Sequence, residues 1–448
     1  MESTRTDPLP EPHAWAVLRA GDRGFDSASR LWNAAAESRP GVIWRCRTPQ
    51  AVQAALAQAE SGMDVAVRGG GHSPAGFGSS DGGMVLDLRP MSRVTVDPSR
   101  RRARVSGSAT VGDVLRAAQQ HGLAAATGVG STVGFIGQAL SGGTGLLEGR
   151  MGLACDNIFA ARVVSATGDM VEANVDHNPD LGWALRGGGG NFGVVTDLEV
   201  HLHPLPNVLA GALIHPPDRA RSLLEMLRDD APSLPGSTVV HAGLLSDPRG
   251  EAACSLVVGH LEPDRAAAVD RLRSWGTPIV DMVRLMSPAD AASMVDGFAQ
   301  PGLRYRVASL AVSDLRDGTI DLLIDAYSRR PAPGCRIIVR HVHGRAADID
   351  STASAFALRR QHYLIEIVAA VPGATATEPF QWADDLAAQL IPTSIGTHPT
   401  YLDGDRTLTR RSYGENWKRL REIKQRWDPH NVFHRNANIP PAEGPCLD

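Results

Sequence analysis

Long apolar runs are missing from this chain of 448 residues. No stretch approaches the ~20 apolar residues that a membrane helix needs. The amino terminus, Met1 to Pro8, has no charged start followed by an apolar core, so no targeting segment is expected. Cysteine is scarce: Cys46, Cys155, Cys254, Cys335 and Cys446 stand far apart. No Cys-x-x-Cys pair exists, which excludes a zinc ribbon and a thioredoxin-like redox motif. Excess charge is missing too, since the formal net charge is -4. That argues against nucleic acid or an anionic membrane as the main partner. Internal repeats are absent. These absences point to a cytoplasmic, soluble protein with scattered buried thiols, long enough for two or three domains that each bury a core.

What the chain does have is glycine, 46 residues of it, gathered at a few places. The first cluster is Arg68-Gly-Gly-Gly-His-Ser73, between the apolar run Val65–Val67 and the strand-like run Met84–Leu88. Consecutive glycines let a backbone take positive φ and approach a ligand closely. Successive N–H groups in such a turn form a concave anion site suited to a pyrophosphate. A second cluster covers Thr127–Gly134, Gly137 and Ser141–Gly145, followed by Gly152–Ile158. A third, Arg186-Gly-Gly-Gly-Gly-Asn-Phe-Gly193, precedes the alternating strand Val194–Leu202. Around these the pattern alternates short strands with capped helices, as at Thr48–Glu60 and Thr110–His121, the latter ended by Gly122. Pro204 and Pro206 mark a boundary. From about 207 to 400 the glycine clusters stop, and helices (Pro217–Arg228, Glu262–Trp275, Asp317–Ser328) alternate with strands (Ser237–Leu245, Ala253–Gly259, Cys335–Val342). Tyr413–Trp427 reads as a basic amphipathic helix.

Three short patterns point elsewhere. Gly78-Ser-Ser-Asp-Gly82 fits a serine-hydrolase elbow, but a strand and not a helix follows it. Gly128-Val-Gly-Ser-Thr-Val-Gly134 has one residue too many for a dinucleotide fingerprint. The pairs His201/His203 and His341/His343 each put two imidazoles on one strand face. No acidic or further His partner completes a metal set, so no metal is expected. Three glycine clusters in about 130 residues suggest an extended cofactor gripped by backbone at both its pyrophosphate and its ring.

Arg68–Ser73, Gly137–Gly145, Gly152–Ile158, Arg186–Gly193 and Asn436–Pro441, in this order, closely resemble the berberine-bridge-enzyme-like flavoproteins. These are FAD-linked oxidases of the vanillyl-alcohol-oxidase fold, and the resemblance runs from about Pro40 to Pro441. It implies an α+β protein: a two-subdomain PCMH-type FAD-binding domain (40–206) and an inserted α+β substrate domain (207–400) whose antiparallel sheet covers the flavin. Residues 1–39 are a lead-in, and 401–448 return to the FAD domain. By resemblance, His72 is joined covalently to the 8α-methyl of FAD. Gly130 stands where many relatives carry a second, cysteinyl attachment, so a single bond is expected. Gly69, Gly70, Gly71 and Ser73, next to Arg68, cradle the pyrophosphate. Gly134, Gly137, Gly142, Gly143, Asp156, Asn157, Gly190, Gly193, Asn436 and Asn438 match further flavin-contacting positions.

The resemblance also implies the chemistry. The flavin carries the redox step, and the protein supplies orientation and proton transfer. Hydride passes from a C–H next to O or N to flavin N5 while a base takes the O–H or N–H proton. Tyr401 resembles the tyrosine that relatives place at the flavin, with Asp403 where an Asn is usual. Tyr363, His341 and His343 are further candidates. Val133 matches a small residue that leaves oxygen access open, so dioxygen is the expected acceptor and hydrogen peroxide the product. The substrate is a small molecule (a sugar, an alcohol or an intermediate of secondary metabolism), handled by a monomer or homodimer. A redox-neutral cyclisation or isomerisation, or ligand binding alone, is the alternative, and an NAD-linked dehydrogenase the other enzyme reading.

Overall fold

The computed structural model describes residues 14–442 except 248, 263, 264, 374 and 375. Cys446 and the first thirteen residues lie outside the described part. The protein is α+β, built on three sheets that follow one another along the chain. A small sheet has the order Trp15–Leu18, Val42–Cys46, Met84–Asp87, Val65–Arg68, the last three strands running parallel. A middle, antiparallel sheet is organised around the long strand Val194–Pro204. Arg102–Ser106 lies on one side of it and Ile158–Val164 on the other, with Val94–Asp97 and Met170–Ala173 at the edges.

The large sheet is antiparallel and has eight strands. Its main path is Val280–Asp281, Val208–His215, Ala252–His260, Thr238–Ser246, Cys335–Val342, His362–Val371 and Arg304–Val312, and Arg284–Met286 also pairs with Val208–His215. Side chains alternate across a sheet, and here the two faces differ sharply. Tyr363, Ile365, Ile367 and Ala369 point to one face. They pack with Leu223, Leu227, Leu323, Ala326 and Leu386 from the helices Ala220–Asp229, Asp317–Ser328 and Thr377–Leu390. Leu364, Glu366, Val368 and Ala370 point to the other, opposite Ala311, Ser309, Val307 and Tyr305 of the neighbouring strand.

Local chemistry explains where the helices start. Thr48 accepts the Ala51 N–H at 3.2 Å, and Pro49 occupies the first helical position of Pro49–Leu56. At Val111–Gln119 the cap is reciprocal: Thr110 Oγ1 accepts from the Asp113 amide while Asp113 Oδ2 accepts from the Thr110 amide at 2.9 Å. Both helices are shorter than their sequence spans. The expected helix at Tyr413–Trp427 is interrupted, because Gly414 has φ +48°. A helix ends at Tyr413, a short 3₁₀ turn follows, and a second helix runs Trp417–Trp427.

Candidate active site

The strand Val65–Arg68 runs straight into the first glycine turn, and the middle cluster crosses over it. The crossing is so close that a Cβ added to Gly70 would lie 2.5 Å from the Gly134 amide nitrogen. Gly71 has φ +71°, a conformation open to glycine. Among the described residues, the amides of Gly70, Gly71, His72 and Ser73 donate to no protein acceptor. A row of free N–H groups is an anion-binding concavity. The turn opens into a cleft with about 1350 Å³ of empty volume, mouth included. Gly69, Gly70, Gly71, His72 and Ser73 line it on one side, Val133, Gly134 and Gly137 on the next, then Gly190 and Gly193, and Asn436 from the carboxy-terminal segment.

Other expected residues stand outside that lining. Arg68 is 1% exposed and lies beneath the turn, where its Nε donates to Gly78 O at 2.7 Å. Gly142 and Gly143 are packing positions: a Cβ would meet the Phe356 ring at 2.8 Å and Ala154 Cβ at 2.6 Å. Asp156 pairs with buried Arg359 at 2.9 Å. The Asn157 amide donates to Met151 O and Leu153 O, and its carbonyl oxygen contacts His203 Nε2 at 2.7 Å. Asn438 does not line the cleft, although its Oδ1 is buried without a partner.

The candidate bases separate by sheet face. Tyr363 sits on the helix-covered face of the large sheet, where its hydroxyl donates to Arg228 O at 3.2 Å. His341 lies opposite Tyr363 in the register and stacks on it, and His343 stacks on His341. The structure therefore turns these three away from the cleft. Ser80 of the hydrolase-like pattern is buried and hydrogen-bonded to Asp64. Among the described residues no group of three or more His, Cys, Asp or Glu is placed to hold a metal ion.

Tyr401 lies at the cleft's edge, on a 3₁₀ turn whose residues Pro399 and Thr400, with the following Leu402, line the cavity. Its hydroxyl donates to Glu366 Oε1 at 2.6 Å. Glu366 is paired with Arg340, whose Nη2 donates to Glu366 Oε2 at 3.1 Å, and both side chains are buried. Arg340 also reaches His241 Nδ1 at 3.4 Å. Burial, reinforced by the Glu366 charge, holds the Tyr401 phenol well above its ordinary value. Glu148, 2% exposed, adds a second acid to this cluster, and burial pushes its carboxyl up to about 8. Glu366, Arg340, His241 and Glu148 carry no local motif. A charge at Arg340 and one at Glu366 within largely apolar strands are the signal that could have found that pair, since a buried charge needs a partner.

His72 is a second titratable group at the cleft. Burial pushes its imidazole down to about 4 against the opposing charge of Asp296, so the ring is neutral near pH 7. The residues present fit FAD. Besides the free amides, Asn436 Oδ1 and Arg435 Nε are buried without a protein partner, and both residues line the cleft. Buried polar atoms left this way call for a polar ligand.

Comparison with known proteins agrees with the geometry. Residues 40–174 match the family described as FAD binding domain, and residues 401–440 the family described as berberine and berberine like. The chain is 32% identical over 460 residues to (R)-6-hydroxynicotine oxidase of Paenarthrobacter nicotinovorans, covering 95% of this chain and 96% of that one. In structure it is similar to 6-hydroxy-D-nicotine oxidase from Arthrobacter nicotinovorans, with a TM-score of 0.86, 27% identity and coverage of 97% and 99%. It is similar also to xylooligosaccharide oxidase from Myceliophthora thermophila C1, with a TM-score of 0.84, 25% identity and coverage of 95% and 97%. The two family matches, and similarity to these oxidases over 95% or more of the chain, agree with a cleft of free backbone amides: the protein is an enzyme of the berberine-bridge-enzyme-like FAD-linked oxidases.

Proposed function

We propose that the enzyme oxidises a C–H bond next to oxygen or nitrogen in a small molecule, such as an alcohol, a sugar or an amine, and uses dioxygen as the acceptor. The observation that carries this reading is the Tyr401–Glu366–Arg340 relay, which reaches the edge of the FAD cleft. Bound FAD would supply the hydride acceptor and the route for the electrons to dioxygen, with hydrogen peroxide as product. The protein's part is to move one proton. Tyr401 stays protonated at rest and holds its hydrogen toward Glu366 Oε1. As the substrate O–H or N–H proton passes to the phenol oxygen, the phenolic proton passes to Glu366. Arg340 orients that carboxylate by a two-pronged contact. Substrate enters beneath the face of the large sheet that carries Tyr305, Val307 and Glu366, so residues 207–400 act as the substrate unit and 40–206 with the carboxy-terminal segment as the FAD unit.

FAD is attached through a single bond to His72. A neutral imidazole in the cleft is a nucleophile, and the backbone at Gly130 supports the absence of a cysteinyl bond. Gly130 has φ +90°, and a Cβ there would lie 3.1 Å from Val133 Cγ2, so a cysteine would be strained. The test is acid precipitation of purified protein followed by assay of hydrogen peroxide with a panel of alcohols, aldoses and cyclic amines. Flavin retained in the precipitate, lost in His72→Ala, together with peroxide release supports both statements. Flavin wholly in the supernatant removes the covalent bond, and turnover without oxygen consumption removes the oxidase reading.

A further inference from the structure

The imidazole of His72 sits in a cage supplied by three distant parts of the chain. Trp32, from the lead-in, stacks on it with ring centroids 4.9 Å apart. Trp32 is fixed on its own account: its amide donates to Gly71 O, its indole N–H donates to Ala299 O at 2.7 Å, and it stacks on Tyr305 at 3.9 Å. On the second side, Thr132 Oγ1 lies 3.1 Å from His72 Nε2. The loop that carries Thr132 is fastened by Asp296, which accepts the Ser131 amide at 2.8 Å and the Ser131 hydroxyl. Tyr305 and Asp296 both belong to residues 207–400, so the cage closes only when that part has docked.

A stacked ring with one nitrogen hydrogen-bonded is held in one orientation. Nε2 is engaged by Thr132, which leaves Nδ1 as the nitrogen for which no partner exists among the described residues. We infer that Trp32 and Thr132 are positioning residues for flavin attachment, which hold His72 so that its free nitrogen alone is presented to the cofactor. This rests on the covalent reading above. Attachment forms one bond between an imidazole nitrogen and the 8α carbon. One proton leaves that carbon and one leaves the ring. The two electrons left on the isoalloxazine are taken by dioxygen, which becomes hydrogen peroxide.

The full-length chain, produced in riboflavin-starved cells, is mixed with FAD in air-saturated buffer. Covalent flavin is followed by intact mass and by retention in acid precipitate, and reversible binding by quenching of FAD fluorescence. Loss of the hydroxyl in Thr132→Val slows attachment about tenfold, and loss of the stacking partner in Trp32→Ala slows it about a hundredfold. FAD affinity stays within about threefold of wild type for both, since the amide cradle is untouched. Thr132→Ser and Trp32→Phe restore the rate. Attachment at the wild-type rate in both disabling variants overturns the inference, as does a loss of affinity in proportion to rate, which marks a merely structural role. A wild-type chain that retains no flavin in the precipitate sinks the covalent reading itself.

Discussion

The two sides of the cleft are built on opposite plans. The glycine-loop side presents backbone to a polar ligand, as free amides on crossing loops, with His72 at the rim. The side toward the large sheet is backed, at the cleft's edge, by side chains held by one another: Tyr401, Glu366, Arg340 and His241, joined by Glu148 from the helix Glu148–Met151. A backbone surface tolerates no added volume, whereas a side-chain network tolerates volume but not the loss of a partner. Each side should therefore break in its own way. Gly70→Ala is expected to have the largest effect. Its Cβ would press on the backbone of Gly134, which has no flexible end to move. The cost lies at the upper end of overpacking, about 3 kcal/mol or more. Flavin content after purification and the thermal midpoint both fall. A variant that keeps full flavin content would show that the crossing can open.

Tyr401→Phe breaks the other side. It removes the proton acceptor and leaves the cradle intact, so flavin content is unchanged while kcat falls about 10²–10⁴-fold, the range for a positioned acid–base group. Single-turnover reduction of the flavin under anaerobic conditions separates this from any effect on reoxidation. A Phe variant that reduces its flavin at the wild-type rate would remove Tyr401 from the chemistry.

The same contrast explains what was legible in the sequence. The glycine side could be read because its elements are contiguous: Gly69–Ser73 is one turn, and each glycine reports a local backbone need. The strands at Cys335–Val342 and Val194 onward followed from the residue pattern, and the α+β class from the family resemblance. Gly142, Gly143, Asp156 and Asn157 share those motifs, yet they serve packing and ion pairing away from the lining, since a motif marks a loop and not the direction of each member. Glu366 and Arg340 stand 26 residues apart and meet only through strand register. Register depends on the whole sheet, so the sequence shows a charge in each strand but not that the two meet. His341 and Tyr363 stand away from the cleft for the same reason: which face a strand residue takes is decided by what covers the sheet.

Glu148 sharpens the comparison through pH. Its folded-state carboxyl titrates at about 8, above the ordinary 4.5, so folding favours the protonated acid. The stability it contributes is fully present below pH 4.5 and is lost as pH rises through 8. Glu148→Gln keeps the shape and the contact from the Gly145 amide without the ionisation. Relative to wild type it is expected to be near neutral at pH 4.5 and more stable by about 2–4 kcal/mol above pH 8.5. A stability difference that does not change between those two pH values would place Glu148 in contact with water.

Tyr363→Phe gives the smallest effect and tests the face assignment itself. The ring lies in the apolar layer between the large sheet and its helices, so the substitution keeps its packing. Only the hydroxyl contact to the carbonyls at the end of the helix Ala220–Asp229 is lost. Removing both the donor and its own need for a partner costs about 1 kcal/mol. The carbonyls left behind sit at a helix end, where water reaches such groups. The enzyme should therefore lose a little denaturant resistance and keep its kcat, KM and flavin content. A fall in kcat comparable to that of Tyr401→Phe would mean that the two faces are coupled through the strand His362–Val371. The same strand carries Glu366 three residues on and pointing the other way, so the pair of variants asks one question of one strand: whether chemistry belongs to a face or to the strand as a whole.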